Sequence, residues 1–119
     1  MKLYWRLRRD LLRLFDRLGQ RQTYFRAVSI AEYESLVAGR GLAISAQGSE
    51  GKHLAATYEA ACEWGRRLHG AGAFRVIGVS FPASIAASFY SWTKLDGIGA
   101  AAFAEQGALG HAILTLRVD

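Results

Sequence analysis

The chain has 119 residues, 51% hydrophobic and 12% aromatic, which suits one folded domain over residues 1–119 and argues against a disordered segment. Its lone cysteine excludes an intramolecular disulfide, and its three scattered histidines do not suggest a metal site. The net charge of +5 is concentrated near the N-terminus, because residues 1–26 hold eight of the fifteen Lys and Arg side chains.

The first predicted element is a basic amphipathic helix over residues 1–19. Apolar side chains recur there at helical spacing, arginines fall mostly on the other side, and Gly19 suits a helix end. Two interpretations stay open. The helix packs on its own sheet with a solvated basic face, or it contacts an acidic surface such as an anionic membrane, a nucleic acid or a partner protein.

The same segment bears on localisation. No run of the sequence has the length and apolarity of a transmembrane segment, and arginines interrupt any signal-peptide core near the N-terminus. We therefore expect a cytoplasmic protein, or one that is exported by a route independent of a signal peptide.

A strand and a helix are predicted next. Residues 22–28 are rich in β-forming side chains. Ser29, with Glu32 three residues later, matches a capping box, so a helix is expected to begin there and to end at Gly39. Residues 42–45 are compatible with a short strand.

A second strand and helix follow. The composition of residues 46–51 predicts a loop, and residues 52–56 predict a short strand. Thr57 is a good N-cap for a helix over residues 58–68. A polar side chain therefore lies between the end of a strand and the N-terminus of a helix.

The C-terminal third has one clear strand, residues 74–81, which Pro82 ends. Residues 82–92 predict a turn or short helix, the glycine-rich residues 94–110 have no assignment, and residues 111–118 predict a terminal strand. The pattern of four or five strands and three helices has no regular βαβ alternation. It predicts an α+β fold with small mixed or antiparallel sheets and packed helices.

Two positions in this pattern are candidates for ligand binding. Alternation puts Arg26 on one face of its strand with Tyr24 and Val28, where a guanidinium needs an anion, a solvated cleft or an acidic partner. Thr57 lies where a ligand amide or phosphate can be held at a helix N-terminus, and its alternative role is that of a plain N-cap.

Two carboxylates are candidates for chemistry. Asp96 precedes Gly97 and suits a turn, whereas Glu105 lies in an apolar neighbourhood. A carboxylate can stabilise a cation or act as a general base, and the sequence leaves open which of the two is functional. No dinucleotide fingerprint, nucleophile elbow or Walker loop is present.

The succession TYFRAVS, a helix, GKHLAAT, YEAACEWG and FRVIGVSFP resembles small mono-ADP-ribosyltransferase domains. That family includes antibiotic-modifying enzymes and bacterial toxins and effectors. The antibiotic-modifying branch has a similar strand–threonine–helix motif, which is matched here by Thr57, Glu59, Ala60, Ala61, Trp64 and Gly65. The resemblance spans residues 22–118 and leaves the N-terminal helix as an addition.

The resemblance implies that NAD is the substrate and is held in a cleft between two small sheets. Arg26 matches the first-strand position that contacts the nucleotide. Thr57 or Tyr58 is the nearest match to the residue on the nicotinamide side, and Glu105 is the candidate for the carboxylate that orients the ribose. The candidates for an aromatic wall beside it are Tyr24, Tyr58, Phe89, Tyr90 and Trp92.

The resemblance also implies transfer of ADP-ribose to an acceptor, either a protein or a small molecule. A toxin or effector role would bring a neutralising partner protein as well. The chain lacks the STS triplet of the arginine-specific branch, and no ExE motif lies near Glu105. The alternative is therefore a catalytically degenerate binding module of the same fold, which docks a partner, a membrane surface or a nucleic acid through its basic helix.

Overall fold

Two long strands with alternating buried side chains form the centre of the sheet. The computed structural model describes residues 19–39 and 51–117, which contain six strands and four helices. The strands are β1 (Arg21–Ser29), β2 (Lys52–Ala55), β3 (Phe74–Pro82), β4 (Tyr90–Leu95), β5 (Gly99–Ala104) and β6 (Ile113–Thr115). The helices are α1 (Ile30–Val37), α2 (Tyr58–His69), α3 (Ala83–Ala86) and α4 (Gln106–Leu109).

The six strands form one antiparallel sheet in the order β4-β5-β2-β1-β3-β6. β1 and β3 pair over all nine residues of each strand. β1 and β2, in contrast, are joined at one position, Phe25 opposite Ala55. We call the boundary between β1 and β2 the seam; it is the least paired boundary in the described sheet.

One face of the sheet carries the larger core. Its fully buried large side chains are Val28, Leu54, Ile77, Val79 and Phe81. They occupy alternate positions of β1, β2 and β3, so they point to the same side of the sheet. α1 adds Leu36 and α3 adds Ala86 to this core. Each large side chain contributes roughly 1.5–3 kcal/mol through its removal from water.

The other face is covered in part by α2. Ala60 and Ala61 are buried there, with Trp64 partly buried beside them. A Cβ atom at Gly65 would overlap the ring of Phe74, so the glycine lets the helix approach the sheet closely. This packing makes α2 one wall of the space above the seam.

The two predicted helix starts are confirmed. Ser29 Oγ accepts a hydrogen bond from the Glu32 amide, and Thr57 Oγ1 accepts one from the Ala60 amide, each at 3.1 Å. Glu32 Oε1 is buried without a hydrogen-bond partner. The N-caps therefore match the prediction, whereas Oε1 does not complete a capping box at the first helix.

The predictions for the C-terminal third were partly wrong. The turn or short helix predicted over residues 82–92 contains the short helix α3, which ends at Ala86, but the strand β4 begins at Tyr90 within that segment. The unassigned residues 94–110 contain the end of β4, all of β5 and α4, and the strand predicted over residues 111–118 spans only Ile113–Thr115. The described strands thus number six rather than four or five, and they form one antiparallel sheet, which is one of the two arrangements predicted.

Three segments lie outside the described residues: 1–18, 40–50 and 118–119. The predicted basic helix over residues 1–19 falls almost entirely in the first. The short strand predicted over residues 42–45 falls in the second. Both stay predictions.

Candidate functional site

A cavity of about 420 Å³ lies at the seam, between α2 and the sheet. We call it the central cavity. Its lining is formed by Phe25, Arg26, Ala27, His53, Leu54, Ala55, Ala61, Trp64, Leu68, Leu95, Asp96 and Ala101. Several of these side chains are alanines, which leave space between helix and strands. The volume lies within the range of roughly 300–1,000 Å³ that is usual for small-molecule sites.

Arg26 lies at the centre of the seam. Its Nη1 donates a hydrogen bond to the backbone carbonyl of His53 at 3.0 Å, at a position where the β1–β2 ladder has already ended. Its Nε is buried and has no hydrogen-bond partner. A buried guanidinium N–H without a partner is costly, so the geometry leaves a strong donor free for a ligand or a water molecule.

The charge of Arg26 is only partly balanced. Burial lowers the pKa of its guanidinium, and the Glu32 carboxylate offsets this in part. Burial also lowers the pKa of the neighbouring Lys52, Arg26 lowers it further by repulsion, and Glu32 opposes both. Two cations therefore share one nearby carboxylate, which favours binding of an anion.

Asp96 brings a carboxylate to the same cavity. Its Oδ2 accepts a hydrogen bond from Trp64 Nε1 at 3.2 Å, and its carbonyl contacts Arg67 Nη1 at 3.5 Å. Asp96 and Gly97 both have positive φ, 55° and 70°, in the turn between β4 and β5. Asp and Gly tolerate this conformation better than other residues, so the predicted turn at these positions is confirmed.

A row of aromatic rings leads away from the cavity. The imidazole of His53 lies 4.9 Å from the ring of Phe103 and 5.5 Å from that of Trp92, measured between centroids. Tyr90 continues the row, 4.9 Å from Trp92. His53 thus connects the cavity lining to a row of aromatic rings on β4 and β5.

The predicted site residues are not all brought together. Tyr24 is buried in the core against Phe81 and Phe89, and burial raises the pKa of its hydroxyl. Thr57 uses its hydroxyl as the N-cap of α2. Tyr58 packs its ring edge-on against Phe25, at a centroid distance of 6.3 Å, and lines a different cavity.

Glu105 is also separate from Arg26. It is exposed, precedes α4 without a capping bond from its side chain, and lines a third cavity of about 650 Å³ with Tyr90 and His111. Of the two candidate carboxylates, Asp96 shares a cavity with Arg26 and Glu105 does not.

The sequence did not single out His53, and it marked Trp64 only as one residue of the matched motif. His53 was one residue of a short strand with nothing to mark it, and its carbonyl rather than its side chain meets Arg26. Trp64 packs against the smaller core and also bonds Asp96 through its indole N–H. Spacing along α2 does not reveal this bond, because it depends on where the β4–β5 turn lies.

Comparison with known protein families, with characterised proteins and with solved structures found no match. In residues 19–39 and 51–117, no helix is long and apolar enough to cross a membrane. The same residues contain no group of three or more His, Cys, Asp or Glu side chains that could hold a metal ion.

Proposed function

We propose that the central cavity binds the nicotinamide–ribose end of NAD, and that the domain is an ADP-ribosyltransferase-like protein. The family is inferred from the sequence resemblance, and the site is chosen from the geometry of the central cavity. The observation that carries it is that Arg26 and Asp96 line the same cavity, and that the Nε of Arg26 is buried without a hydrogen-bond partner.

Two parts of the ligand have matching groups among the residues that line the cavity. The free donor of Arg26 suits a diphosphate oxygen, because guanidinium–phosphate bonds are among the strongest in proteins. Phe25 and Trp64 offer apolar ring surface for the nicotinamide. The family resemblance implies a cleft between two small sheets, whereas the described strands form one sheet whose least paired boundary is the seam.

The proposed chemistry is displacement at C1′ of the nicotinamide ribose. The C1′–N bond breaks, its electron pair leaves with the nicotinamide nitrogen, and neutral nicotinamide is released. The carboxylate of Asp96 stabilises the positive charge that develops on the ribose. An acceptor oxygen or nitrogen then bonds C1′ and gives its proton to the carboxylate or to water.

The proposal gives the carboxylate role to Asp96 rather than to Glu105, because only Asp96 shares a cavity with Arg26. Its Oδ2 is held by Trp64, which orients the group. Tyr24 and Thr57 already have structural roles, so we assign them no direct contact with NAD.

The test is nicotinamide release from NAD by the full chain, measured with candidate protein and small-molecule acceptors. Asp96→Asn keeps an acceptor for the Trp64 bond but removes the charge, and we expect it to abolish release at nearly unchanged NAD affinity. Glu105→Gln is the matched control and should leave release unchanged. Loss of release in Glu105→Gln with full release in Asp96→Asn would overturn the assignment of Asp96.

A second candidate is a binding module that holds a nucleotide without cleaving it. The placement of Glu105 and Arg26 in different cavities favours it, since the carboxylate expected from the resemblance is then out of position. It predicts NAD binding without nicotinamide release. Docking through the basic N-terminal helix stays part of this candidate, and Arg6, Arg9 and Arg13 changed together to Glu should abolish the capture of anionic vesicles or nucleic acid.

A further inference from the structure

A separate cavity, also of about 420 Å³, lies beside a different face of α2 from the one that lines the central cavity. Its lining includes three aromatic side chains, two arginines and a cysteine: Tyr33, Tyr58, Phe74, Arg75, Arg117 and Cys62. We call it the arginine cavity. None of these six residues lines the central cavity.

The two arginines come from neighbouring strands. Arg75 lies near the start of β3, and Arg117 lies two residues beyond the end of β6. The β3–β6 pairing ends with Gly78 opposite Thr115, three residues after Arg75 and two before Arg117, and both arginines line the cavity. The topology therefore places two guanidinium-bearing residues at one end of the same strand pair.

The positive charge of this pair is not compensated by the part of the chain that the structure describes. Both ion pairs found there use Glu63, with Arg66 and Arg67 as partners. Arg75 Nη1 donates to the Phe74 carbonyl at 2.9 Å, which leaves its other donors free of carboxylates. No acidic side chain is among the described residues that line the cavity.

Aromatic rings form part of the wall, together with the aliphatic side chains of Val76 and Leu116. Guanidinium groups bind phosphate oxygens through charge-assisted hydrogen bonds, and aromatic side chains hold planar rings by stacking. The two arginines and the aromatic side chains together fit ligands of one chemical class, planar rings that carry a phosphate group. The volume is sufficient for a ligand of this size.

We propose that the arginine cavity binds an aromatic phosphate, with its ring among the aromatic side chains and its phosphate between Arg75 and Arg117. A nucleoside monophosphate and an aryl phosphate share this chemistry. The site is distinct from the one proposed for nicotinamide and is independent of any transferase activity.

Cys62 provides a local reporter, because it is the sole cysteine of the chain and is partly exposed in this cavity. The experiment measures the rate of Cys62 alkylation in the full chain, with adenosine monophosphate, phenyl phosphate, adenosine or inorganic phosphate added. We expect either or both aromatic phosphates to slow alkylation in a saturable manner. If adenosine monophosphate protects Cys62 and phenyl phosphate does not, the cavity binds nucleotides. If phenyl phosphate protects it equally well, the cavity binds aryl phosphates in general.

Arg75→Gln and Arg117→Gln should each weaken protection by about tenfold, as expected for loss of a charge-assisted contact. Lys94→Gln is the matched control, since it removes an exposed cation outside the cavity, and it should leave protection unchanged. Arg26→Gln should also leave the protection of Cys62 unchanged. A failure of this proposal can therefore be distinguished from a failure of the NAD proposal.

Three results would overturn the inference in a protein that circular dichroism shows to be folded. The first is unchanged alkylation at millimolar concentrations of both aromatic phosphates. The second is equal protection by inorganic phosphate, which would remove the role of the rings. The third is equal weakening by Lys94→Gln, which would reduce the effect to general attraction between charges.

Discussion

The indole Nε1 of Trp64 donates a hydrogen bond to Oδ2 of Asp96 at 3.2 Å, across 32 residues of sequence. The bond ties α2 to the turn between β4 and β5. It fixes one wall of the central cavity and orients the carboxylate that the proposed chemistry uses. Two elements that are distant in the chain are thus coupled at the candidate site.

Trp64→Phe should loosen this turn. The change keeps most of the ring packing and removes the N–H donor, so we expect a loss of about 1 kcal/mol or less in the free energy of unfolding. The Ile98 amide, which bonds the Leu95 carbonyl at 3.0 Å, should exchange with solvent faster. Hydrogen exchange measured by NMR checks this, and unchanged protection of Ile98 would mean that the indole bond does not hold the turn.

Gly65→Ala should destabilise the fold, because a Cβ there would overlap the ring of Phe74. Overpacking opposes the better helix propensity of alanine, and we expect a net loss of about 1–2 kcal/mol. Urea unfolding measures it. Gly107→Ala is the control: it is a helical position with open space around it, so no loss is expected. Equal effects at the two sites would contradict the close approach of α2.

Thr57→Ala separates a capping role from a ligand-binding role. Loss of the bond to the Ala60 amide should cost about 1 kcal/mol of stability. Thr57→Ser retains a hydroxyl and should behave like the wild type in thermal unfolding. NAD affinity should be the same in all three proteins, and a large drop in Thr57→Ala alone would show that the hydroxyl contacts the ligand.

Lys52 should make stability depend on pH. Its pKa in the folded protein is lowered by burial and by repulsion from Arg26, so the unfolded chain binds more protons between that lowered value and the ordinary lysine value of about 10.4. The free energy of unfolding should therefore rise with pH through this range. The free energy of unfolding of the Lys52→Met variant should lack this rise with pH.

The measurement for Lys52 is urea unfolding of both proteins over a series of pH values up to the ordinary lysine value. The stability of the wild type relative to Lys52→Met should increase as the pH rises. A difference that stays constant across the series would mean that the lysine has its ordinary pKa in the folded state.

The sequence was informative for the first five described elements. β1 and β3 have long runs of β-forming side chains, and Ser29 and Thr57 mark the starts of α1 and α2. β5 was missed because GAAAFA has weak strand propensity. It is a strand because β2 and β4 pair with it on either side, which is a tertiary effect.

The candidate site was predictable only in part. Arg26 stood out as a charge in the middle of a strand, and the structure puts it at the seam. Its partner there is a backbone carbonyl, which leaves no trace in sequence composition. The choice between Asp96 and Glu105 required the positions of the turn and of β5, so spacing alone did not decide it.

The most direct test is calorimetric titration of NAD into the full chain, with Arg26→Gln and Glu105→Gln beside the wild type. The account predicts saturable binding by the wild type and by Glu105→Gln, and binding weakened by about tenfold in Arg26→Gln. A folded wild type that does not bind NAD at millimolar concentration, or an Arg26→Gln variant that binds it equally well, would contradict the account.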